Sequence, residues 1–360
     1  MINVNRNWAI CALGLALMSC GGSDDEAAAG GGFDAWSGSS AAVVDYTDKV
    51  VVGTYELLAL RLQALDAAAV ALKAAPNEAN LGGVRKAWAD ARKPWEQSEA
   101  FLFGPVDAKG FDPALDSWPV NRTDLDGVLA SKDELSPAYV KNLDPTLRGF
   151  HTAEYLIYGV DSKKPAAALT ARELDYLAAV TSNMASIATE LVESWKGGPD
   201  GYANVLKGAG NNTVYPSRQS AAEEIVRGMI GIADEVANGK LADPVEQKDP
   251  NLVESQFSFN SLLDFADNIR SVQNAYTGDN PDAGKAGVGL DEWIAELDPA
   301  LDQRVKREIA DSITALDAIP APFSTALSNP DAADEIAAAQ TTIRKLQATL
   351  EKDVLPKIVN

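Results

Sequence analysis

Apolar residues recur every three or four positions along several long segments of the chain. In the first of these segments the apolar positions are Val51, Tyr55, Leu58, Leu62, Leu65, Ala69 and Leu72. Residues with this spacing lie on one face of an α-helix, so the stripe predicts a helix that packs into a bundle. The spacing recurs over residues 174–195 and 336–350. No segment alternates apolar and polar residues between hairpin turns, and we therefore expect an all-α protein.

Helix start signals accompany these stripes. Thr170 and Glu173 have the spacing of a capping box ahead of the helix at residues 174–195. Pairs that combine an N-cap residue with a proline in the first turn occur at Asp144-Pro145, Asp298-Pro299 and Asn329-Pro330. The first of these pairs predicts the start of a helix that continues to Gly159.

Two similar segments suggest an internal duplication. Leu115-Asp116-Ser117-Trp118 and Leu290-Asp291-Glu292-Trp293 each follow a loop rich in Gly, Pro and Asp. Each also comes after a long helix, predicted at residues 78–102 and 255–277. The equal order and spacing of these elements predict two related helical bundles packed side by side.

We place the first bundle at residues 42–200 and the second at residues 213–357. The Gly- and Asn-rich stretch between them supplies the boundary. The histidine-bearing helix of the first bundle has no histidine counterpart in the second. A functional site is therefore expected in the first bundle or in the groove between the two.

The first twenty residues have the pattern of a lipoprotein signal peptide. Arg6 precedes an apolar run that is too short to span a bilayer, and the run ends in the lipobox Leu17-Met18-Ser19-Cys20. Residues 21–41 have the composition of a flexible linker. We expect Cys20 to be lipidated, with a plain secretory signal as the alternative. No Asp follows Cys20, which by similarity to other Gram-negative lipoproteins favours the outer membrane, facing the periplasm.

Composition narrows the chemistry of the folded part. The formal net charge of −21 argues against nucleic-acid binding, which needs Lys- and Arg-rich surfaces. Both cysteines, Cys11 and Cys20, lie in the predicted signal peptide, so the mature domain has no thiolate ligand or disulfide. His151 is the single histidine of the chain, and any imidazole chemistry must use it.

His151 is followed three residues later by Glu154. Residues at positions i and i+3 share a helix face, so both side chains can reach one cation. The alternative is an ordinary hydrogen-bonded pair. Gly149 is an unfavourable residue inside a helix, which suggests that it permits a close approach. Phe150 and Tyr155 make the surroundings apolar, so the polar pair is expected to be partly buried and to need partners.

Further candidates come from the helix predicted at residues 78–102 and from the segment after it. The carboxylates that we consider as additional metal ligands, with ion pairs as the alternative, are Glu96, Glu99 and Asp116. Arg92 shares a helix face with Glu99 and would need a carboxylate or a ligand if buried. Trp118 follows closely after Asp116. In the second half, Arg270 is placed to reach a carboxylate or an anionic ligand across the groove.

The segment Gly149-Phe150-His151-Thr152-Ala153-Glu154 matches the G-x-H-x-x-E motif of the imelysin-like proteins, also classed as peptidase family M75. Residues 88–106, 115–119 and 254–278 are similar to other blocks of that family. The resemblance spans residues 42–355. It implies an all-α fold of two related bundles, a bacterial iron-regulated lipoprotein exported to the cell envelope, and an association with iron uptake.

The donor inventory indicates a metal ion as the cofactor. One imidazole nitrogen and several carboxylates suit iron, manganese or, with open positions, zinc. Heme remains open through axial ligation by His151, although the chain has no Cys-x-x-Cys-His attachment motif.

Two function classes follow. One is an envelope-anchored protein that binds iron or an iron-containing ligand and serves iron-transport components. The other is a metallopeptidase that uses His151 and Glu154. The usual zinc peptidase carries H-E-x-x-H and needs more histidines than this chain has. Ligand counting therefore favours binding and predicts no robust peptidase turnover, while catalytic residues remain unidentified. A third reading is a scaffold in which the His-Glu pair is structural.

Overall fold

The computed structural model describes residues 32–360, and this part of the chain is helical almost throughout. The first half contains α1 (Ser39–Asp45), α2 (Val52–Ala74), α3 (Glu78–Glu96), α4 (Pro105–Ala108), α5 (Phe111–Asp116), α6 (Arg122–Ala130), α7 (Pro137–Lys141), α8 (Gly149–Tyr158) and α9 (Ala171–Lys196). The second half contains α10 (Tyr202–Lys207), α11 (Arg218–Glu235), α12 (Ala242–Gln247), α13 (Ser261–Thr277), α14 (Leu290–Leu297), α15 (Pro299–Asp317), α16 (Phe323–Ala326), α17 (Ala333–Thr349) and α18 (Leu355–Val359). No β-strand occurs between residues 32 and 360, so the predicted all-α fold is confirmed.

The apolar stripe of α2 forms the centre of one group of helices. Tyr55, Leu58, Leu62 and Leu65 are fully buried, and α2 packs against α3 and α9. Burial of each such leucine contributes about 1.5–3 kcal/mol relative to an exposed side chain. The predicted stripe therefore holds α2, α3 and α9 together.

A second group of helices consists of α11, α13, α15 and α17. Helix α13 packs against α11 and α15, and α15 packs against α17. The two groups meet where α3 contacts α13. Residues 32–360 form one compact unit. The boundary expected between residues 200 and 213 stays a prediction; α10 lies within that stretch.

The helix that carries His151 begins later than predicted. Asp144-Pro145 starts a short 3-10 turn, Pro145–Leu147, and Arg148 is extended. Helix α8 then begins at Gly149, whose φ of +80° is readily adopted only by glycine. Gly149 is thus the first residue of α8 and not an interior one. The helix ends before Gly159, as predicted.

The two long helices predicted at residues 78–102 and 255–277 are shorter than predicted. Helix α3 ends at Glu96, because the chain turns at Ser98, whose hydroxyl donates to the carbonyl of Trp95 at 2.6 Å. Helix α13 begins only at Ser261. The residues before it form an irregular turn in which Ser255 and Phe259 have φ values of +48° and +63°. These conformations are incompatible with a continuous helix from residue 255.

Other predicted helix starts are found. Thr170 and Glu173 form the capping box of α9. The side chain of Asp298 accepts the backbone N–H of Leu301 at 3.0 Å and caps α15. Asn329 instead caps a 3-10 turn, Pro330–Ala332, which precedes α17.

The fold begins near Phe33, within the segment 21–41 that was predicted to be a flexible linker. A 3-10 turn, Phe33–Ala35, buries the Phe33 side chain, and the Trp36 indole donates to Glu296 at 2.9 Å. The predicted signal peptide, with Cys20, lies outside the described residues. Among the helices of residues 32–360, none has the length and apolar character needed to cross a bilayer.

Candidate metal centre

Nine ionisable side chains gather in the interior where the two groups of helices meet. We call them the buried cluster: Glu96, Glu99, Asp116, Glu154, Glu254, Asp264, Arg92, Lys240 and His151. None is more than 8% exposed. They come from α3, α5, α8 and α13 and from the segments that link the helices. The cluster therefore depends on both halves of the chain.

Gly149 allows the contact between Asp116 and His151. A Cβ atom on this residue would lie 2.2 Å from the carbonyl oxygen of Leu115. Only glycine lets the end of α5 approach the start of α8 this closely. The approach places Asp116, the last residue of α5, beside His151 in the first turn of α8.

The imidazole of His151 is held between carboxylates. Its Nδ1 lies 3.2 Å from Glu154 Oε2. Its Nε2 lies 3.1 Å from Asp116 Oδ1 and 4.0 Å from Glu254 Oε1. Glu154 thus contacts one side of the ring, and the other side faces Asp116 and Glu254.

Glu154 is itself fixed by the irregular turn before α13. Its Oε1 accepts the backbone N–H groups of Phe257 at 3.0 Å and Ser258 at 2.7 Å. It also accepts the Ser258 hydroxyl at 2.7 Å. With one oxygen used in this way, Glu154 has its other oxygen directed at His151. This second contact orients the ring and favours a proton on Nδ1.

The charges around His151 favour ionised groups despite burial. Burial alone would raise the pKa of Asp116, but Arg92 and His151 hold it well below its usual range. Burial alone would lower the pKa of His151, but hydrogen bonds to Asp116 and Glu154 raise it to about 9. In the absence of a metal ion, a protonated imidazole offsets part of the negative charge of these two carboxylates.

Two permanent cations complete the cluster. The fully buried Arg92 guanidinium contacts Asp116, Glu96 and Glu254 and lies 3.5 Å from Asp264. The ammonium group of Lys240 lies among Glu96, Glu99 and Glu254. Attraction to these carboxylates outweighs burial and raises the pKa of both cations well above its usual value.

Negative charge nevertheless remains in excess. With all nine groups ionised, six carboxylates face Arg92, Lys240 and a protonated His151, which leaves an excess of three negative charges. Burial raises the pKa of Glu96 and Glu99 well above its usual range and that of Asp264 to about 7. Ionised groups are costly in the interior unless they are compensated. The buried cluster therefore favours the uptake of a proton or a metal cation.

Two overlapping sets of donor atoms have metal-binding spacing. One set is Asp116, His151 and Glu254, and the other is Glu96, Glu99, Asp116 and Glu254. Within each set the donor atoms lie within 4.8 Å of one another. Three buried atoms of these sets make close ionic contacts: His151 Nε2 lies 3.1 Å from Asp116 Oδ1, Glu254 Oε2 lies 3.1 Å from Lys240 Nζ, and Glu96 Oε1 contacts the Arg92 guanidinium. These residues could hold a metal ion.

The structure brings together most residues singled out in the sequence. Arg92, Glu96, Glu99, Asp116, His151 and Glu154 all belong to the buried cluster. The Trp118 ring lies against it, with its centroid 6.1 Å from that of His151. Glu154 contacts Nδ1 and the backbone of Phe257 and Ser258, and it belongs to neither donor set.

Arg270 lies apart from these residues. Its guanidinium pairs with Asp267 at 3.1 Å and lines a surface cavity of about 560 Å³, together with Lys93 and Asp282. Phe257 and Phe259, expected on the same helix as Arg270, lie in the irregular turn instead.

Three members of the buried cluster were missed. Glu254 begins a block that supports the family resemblance, but no local spacing marks it as a ligand. Asp264 lies in the helix predicted at residues 255–277, where nothing distinguishes it from the other polar residues. No sequence pattern marks Lys240 as a site residue, because it reaches the cluster from the end of a π-helical turn, Val236–Lys240.

Comparisons with known proteins agree with this architecture. The curated "Iron-regulated protein A" of Synechococcus elongatus is 33% identical over 316 residues, which cover 87% of this chain and 85% of that protein. A crystal structure from Parabacteroides distasonis, described as an iron-regulated protein A precursor, aligns with a TM-score of 0.78 at 30% identity. It covers 89% of this chain and 95% of its own.

A more distant solved structure has the same fold. An imelysin-like protein from Psychrobacter arcticum aligns with a TM-score of 0.72 at 13% identity, over 89% of this chain and 95% of its own. The Imelysin family model (Peptidase M75) matches residues 51–350 of this chain. The chain therefore belongs to the imelysin family.

Proposed function

We propose that this protein binds iron at the buried cluster and acts in bacterial iron uptake as a lipid-anchored protein of the cell envelope. The observation that carries the proposal is the position of His151. Glu154 fixes its ring from one side, and its buried Nε2 faces the carboxylates of Asp116 at 3.1 Å and Glu254 at 4.0 Å. This arrangement is typical of metal-binding histidines, whose second nitrogen is held by a carboxylate.

The donor chemistry supports iron. His151, Asp116 and Glu254 supply one imidazole nitrogen and carboxylate oxygens, a combination that non-heme iron accepts well. The relative named iron-regulated protein A supports an iron-related role over one based on another metal. The bound ion would neutralise part of the excess negative charge of the cluster.

A free cation fits this position better than heme. The His151 Nε2 atom lies 3.1 Å from one carboxylate and 4.0 Å from another. A porphyrin would need an apolar slot on this side of the ring, where Asp116 and Glu254 lie instead.

Burial also supports binding over peptide hydrolysis. His151 is 2% exposed, and Glu154 is fully buried. A hydrolytic metal needs a position open to water and to the scissile bond. The surface cavity near Arg270 and a second one near Tyr202 are lined by residues outside the buried cluster. A capture site needs only affinity and a route for an ion.

The cell-envelope part of the proposal rests on the lipobox that ends at Cys20. Lipidation there would tether the folded part, which begins near Phe33, to a membrane surface. We propose the outer membrane, facing the periplasm, as that surface. Iron-transport components of the envelope are the partners that this role requires.

Anaerobic loading with ferrous iron followed by elemental analysis tests the binding. We expect about one iron per wild-type chain and a large loss in His151→Ala and Glu254→Ala. Glu308→Gln is the matched control, because Glu308 is also buried but belongs to α15, outside the buried cluster, and contacts Lys345 of α17. Equal iron contents in the wild type and His151→Ala would refute the proposal.

A further inference from the structure

Lys240 carries an ammonium group in the position that a metal ion would take in a carboxylate cage. Its Nζ lies 3.0 Å from Glu99, 3.1 Å from Glu254 and 3.5 Å from Glu96. The side chain of Lys240 is 1% exposed. Three carboxylates therefore match the three N–H donors of one ammonium group in the protein interior.

This cage adjoins the position proposed for iron. Glu254 belongs to both, because its Oε1 lies 4.0 Å from His151 Nε2 and its Oε2 lies 3.1 Å from Lys240 Nζ. Asp116 also belongs to both donor sets. The buried cluster thus contains two neighbouring cation positions that share a bridging carboxylate.

The carboxylates of the cage outnumber the cations that contact them. Lys240 contacts Glu96, Glu99 and Glu254, and Arg92 contacts Glu96 and Glu254 as well, so three carboxylates face two cations. Burial also raises the pKa of Glu96 and Glu99 well above its usual range, despite the attraction of the cations beside them. A divalent cation would supply one more charge than Lys240 does, with the oxygen ligands that such ions prefer.

We propose that Lys240 is a built-in cation that fills a second metal position and limits the buried cluster to one metal ion. This inference rests on the proposed function in so far as the native ion is assigned to the His151 position. Removal of the ammonium group, with the carboxylates left in place, should open a second site for a divalent cation of the Mn²⁺ or Fe²⁺ class.

Lys240→Met tests this idea, because methionine retains an unbranched side chain and removes the charge. The double variant Lys240→Met/Glu99→Gln also removes one carboxylate of the cage and serves as the matched control. Mn²⁺ is the probe. Its stoichiometry is measured by elemental analysis after gel filtration, and the melting temperature is measured with and without Mn²⁺.

We expect about one Mn²⁺ per chain in the wild type, two in Lys240→Met and one in the double variant. Metal-free Lys240→Met should melt at a lower temperature than the wild type, and Mn²⁺ should raise its melting temperature more than that of the wild type. One Mn²⁺ or fewer in Lys240→Met, with one in the wild type, would overturn the proposal. Failure of Lys240→Met to fold at saturating Mn²⁺ would overturn it as well, since a cage that accepts the ion is stabilised by it.

The outcomes separate this inference from the proposed function. If the wild type binds no cation and Lys240→Met binds one, the second position is real and the assignment of iron to His151 is wrong. If both bind one ion that depends on His151, the proposed function stands and the role of Lys240 is wrong.

Discussion

Glu154 Oε2 lies 3.2 Å from Nδ1 of His151, while the other oxygen of the same carboxylate accepts two backbone N–H groups and a hydroxyl. The pair joins α8 to the irregular turn before α13, which also carries Glu254. One contact therefore orients the imidazole and couples it to the turn that supplies another donor. In the G-x-H-x-x-E motif, the glutamate therefore orients the ring of the histidine.

Glu154→Gln should weaken metal binding without removing the site. The amide of glutamine has one acceptor and one donor group, so its NH₂ faces either His151 Nδ1 or the donors of residues 257–258. Facing His151, it would favour the tautomer with the proton on Nε2. Loss of such an orienting partner usually costs 10–100-fold in metal affinity.

Isothermal titration with Mn²⁺ should therefore show a higher Kd for Glu154→Gln with unchanged stoichiometry. Glu254→Gln, which alters a donor, should lose stoichiometric binding under the same conditions. If both variants lose binding to the same extent, Glu154 is itself a ligand, as the sequence alone suggested.

Gly149→Ala should damage both stability and the site. A methyl group at this position would meet the Leu115 carbonyl at 2.2 Å, in a backbone conformation with positive φ. We expect a loss of about 3 kcal/mol in the free energy of unfolding and a displaced Asp116. Urea denaturation measures the loss.

Gly82→Ala is the control for Gly149→Ala, because no atom lies within 4 Å of a Cβ at Gly82 in α3. Alanine there should stabilise the helix by up to about 1 kcal/mol. Equal stabilities of the two variants would contradict the structural role of Gly149.

The metal-free protein should lose stability as the pH rises through the pKa of His151. That pKa is raised from 6.5 to about 9, so the protonated imidazole stabilises the folded state. This contribution is fully present below pH 6.5 and is lost between pH 6.5 and about pH 9. It should be absent in His151→Asn.

The stability of the wild type must be compared with that of His151→Asn, because Asp112 and Asp264 also have pKa values of about 7 and titrate over the same pH range. Urea denaturation of wild type and variant at pH 6, 8 and 9.5, with a chelator present, gives the difference in unfolding free energy. A difference that stays constant over this range would show that His151 does not titrate as proposed.

The metal-loaded protein should show no robust peptide cleavage. His151 and Glu154 are buried, and a carboxylate-rich shell should lower the pKa of a bound water less than a histidine-rich shell does. The assay compares the wild type with Glu154→Gln on unfolded protein and peptide substrates. Metal-dependent cleavage that disappears in Glu154→Gln would contradict this prediction and support the metallopeptidase function.

Membrane anchoring is expected to depend on Cys20. Intact-mass analysis of the processed protein should find a lipidated Cys20 at its N-terminus, and the protein should fractionate with membranes. Cys20→Ser should leave the protein unprocessed or release it. A mature N-terminus at any other residue would rule out this anchor.

Local patterns in the sequence predicted the helices well. The stripe that includes Tyr55, Leu58 and Leu62 is buried as expected, because helical periodicity depends only on neighbouring residues. The association of His151 with Glu154 followed from the same periodicity. The helix ends were less accurate, since Ser98 and the positive φ angles of Ser255 and Phe259 leave no periodic signal.

The wider site could not be read from the sequence for a different reason. Glu254 and Lys240 reach the cluster from segments more than eighty residues away from His151 along the chain. Their approach depends on how α3 packs against α13, which is a tertiary relationship. Lysine side chains are also seldom buried, because a buried ammonium group is tolerated only when carboxylates surround it. The sequence therefore gives no reason to place Lys240 in the interior.

Crystals loaded anaerobically with ferrous iron and measured at the iron absorption edge give the most direct test of the central claim. We predict one anomalous peak per chain, about 2 Å from His151 Nε2 and from oxygens of Asp116 and Glu254. Glu154 should remain on Nδ1, outside the ligand shell. A peak at another place, or no peak in protein shown to be folded, would contradict the assignment of this cluster as an iron site.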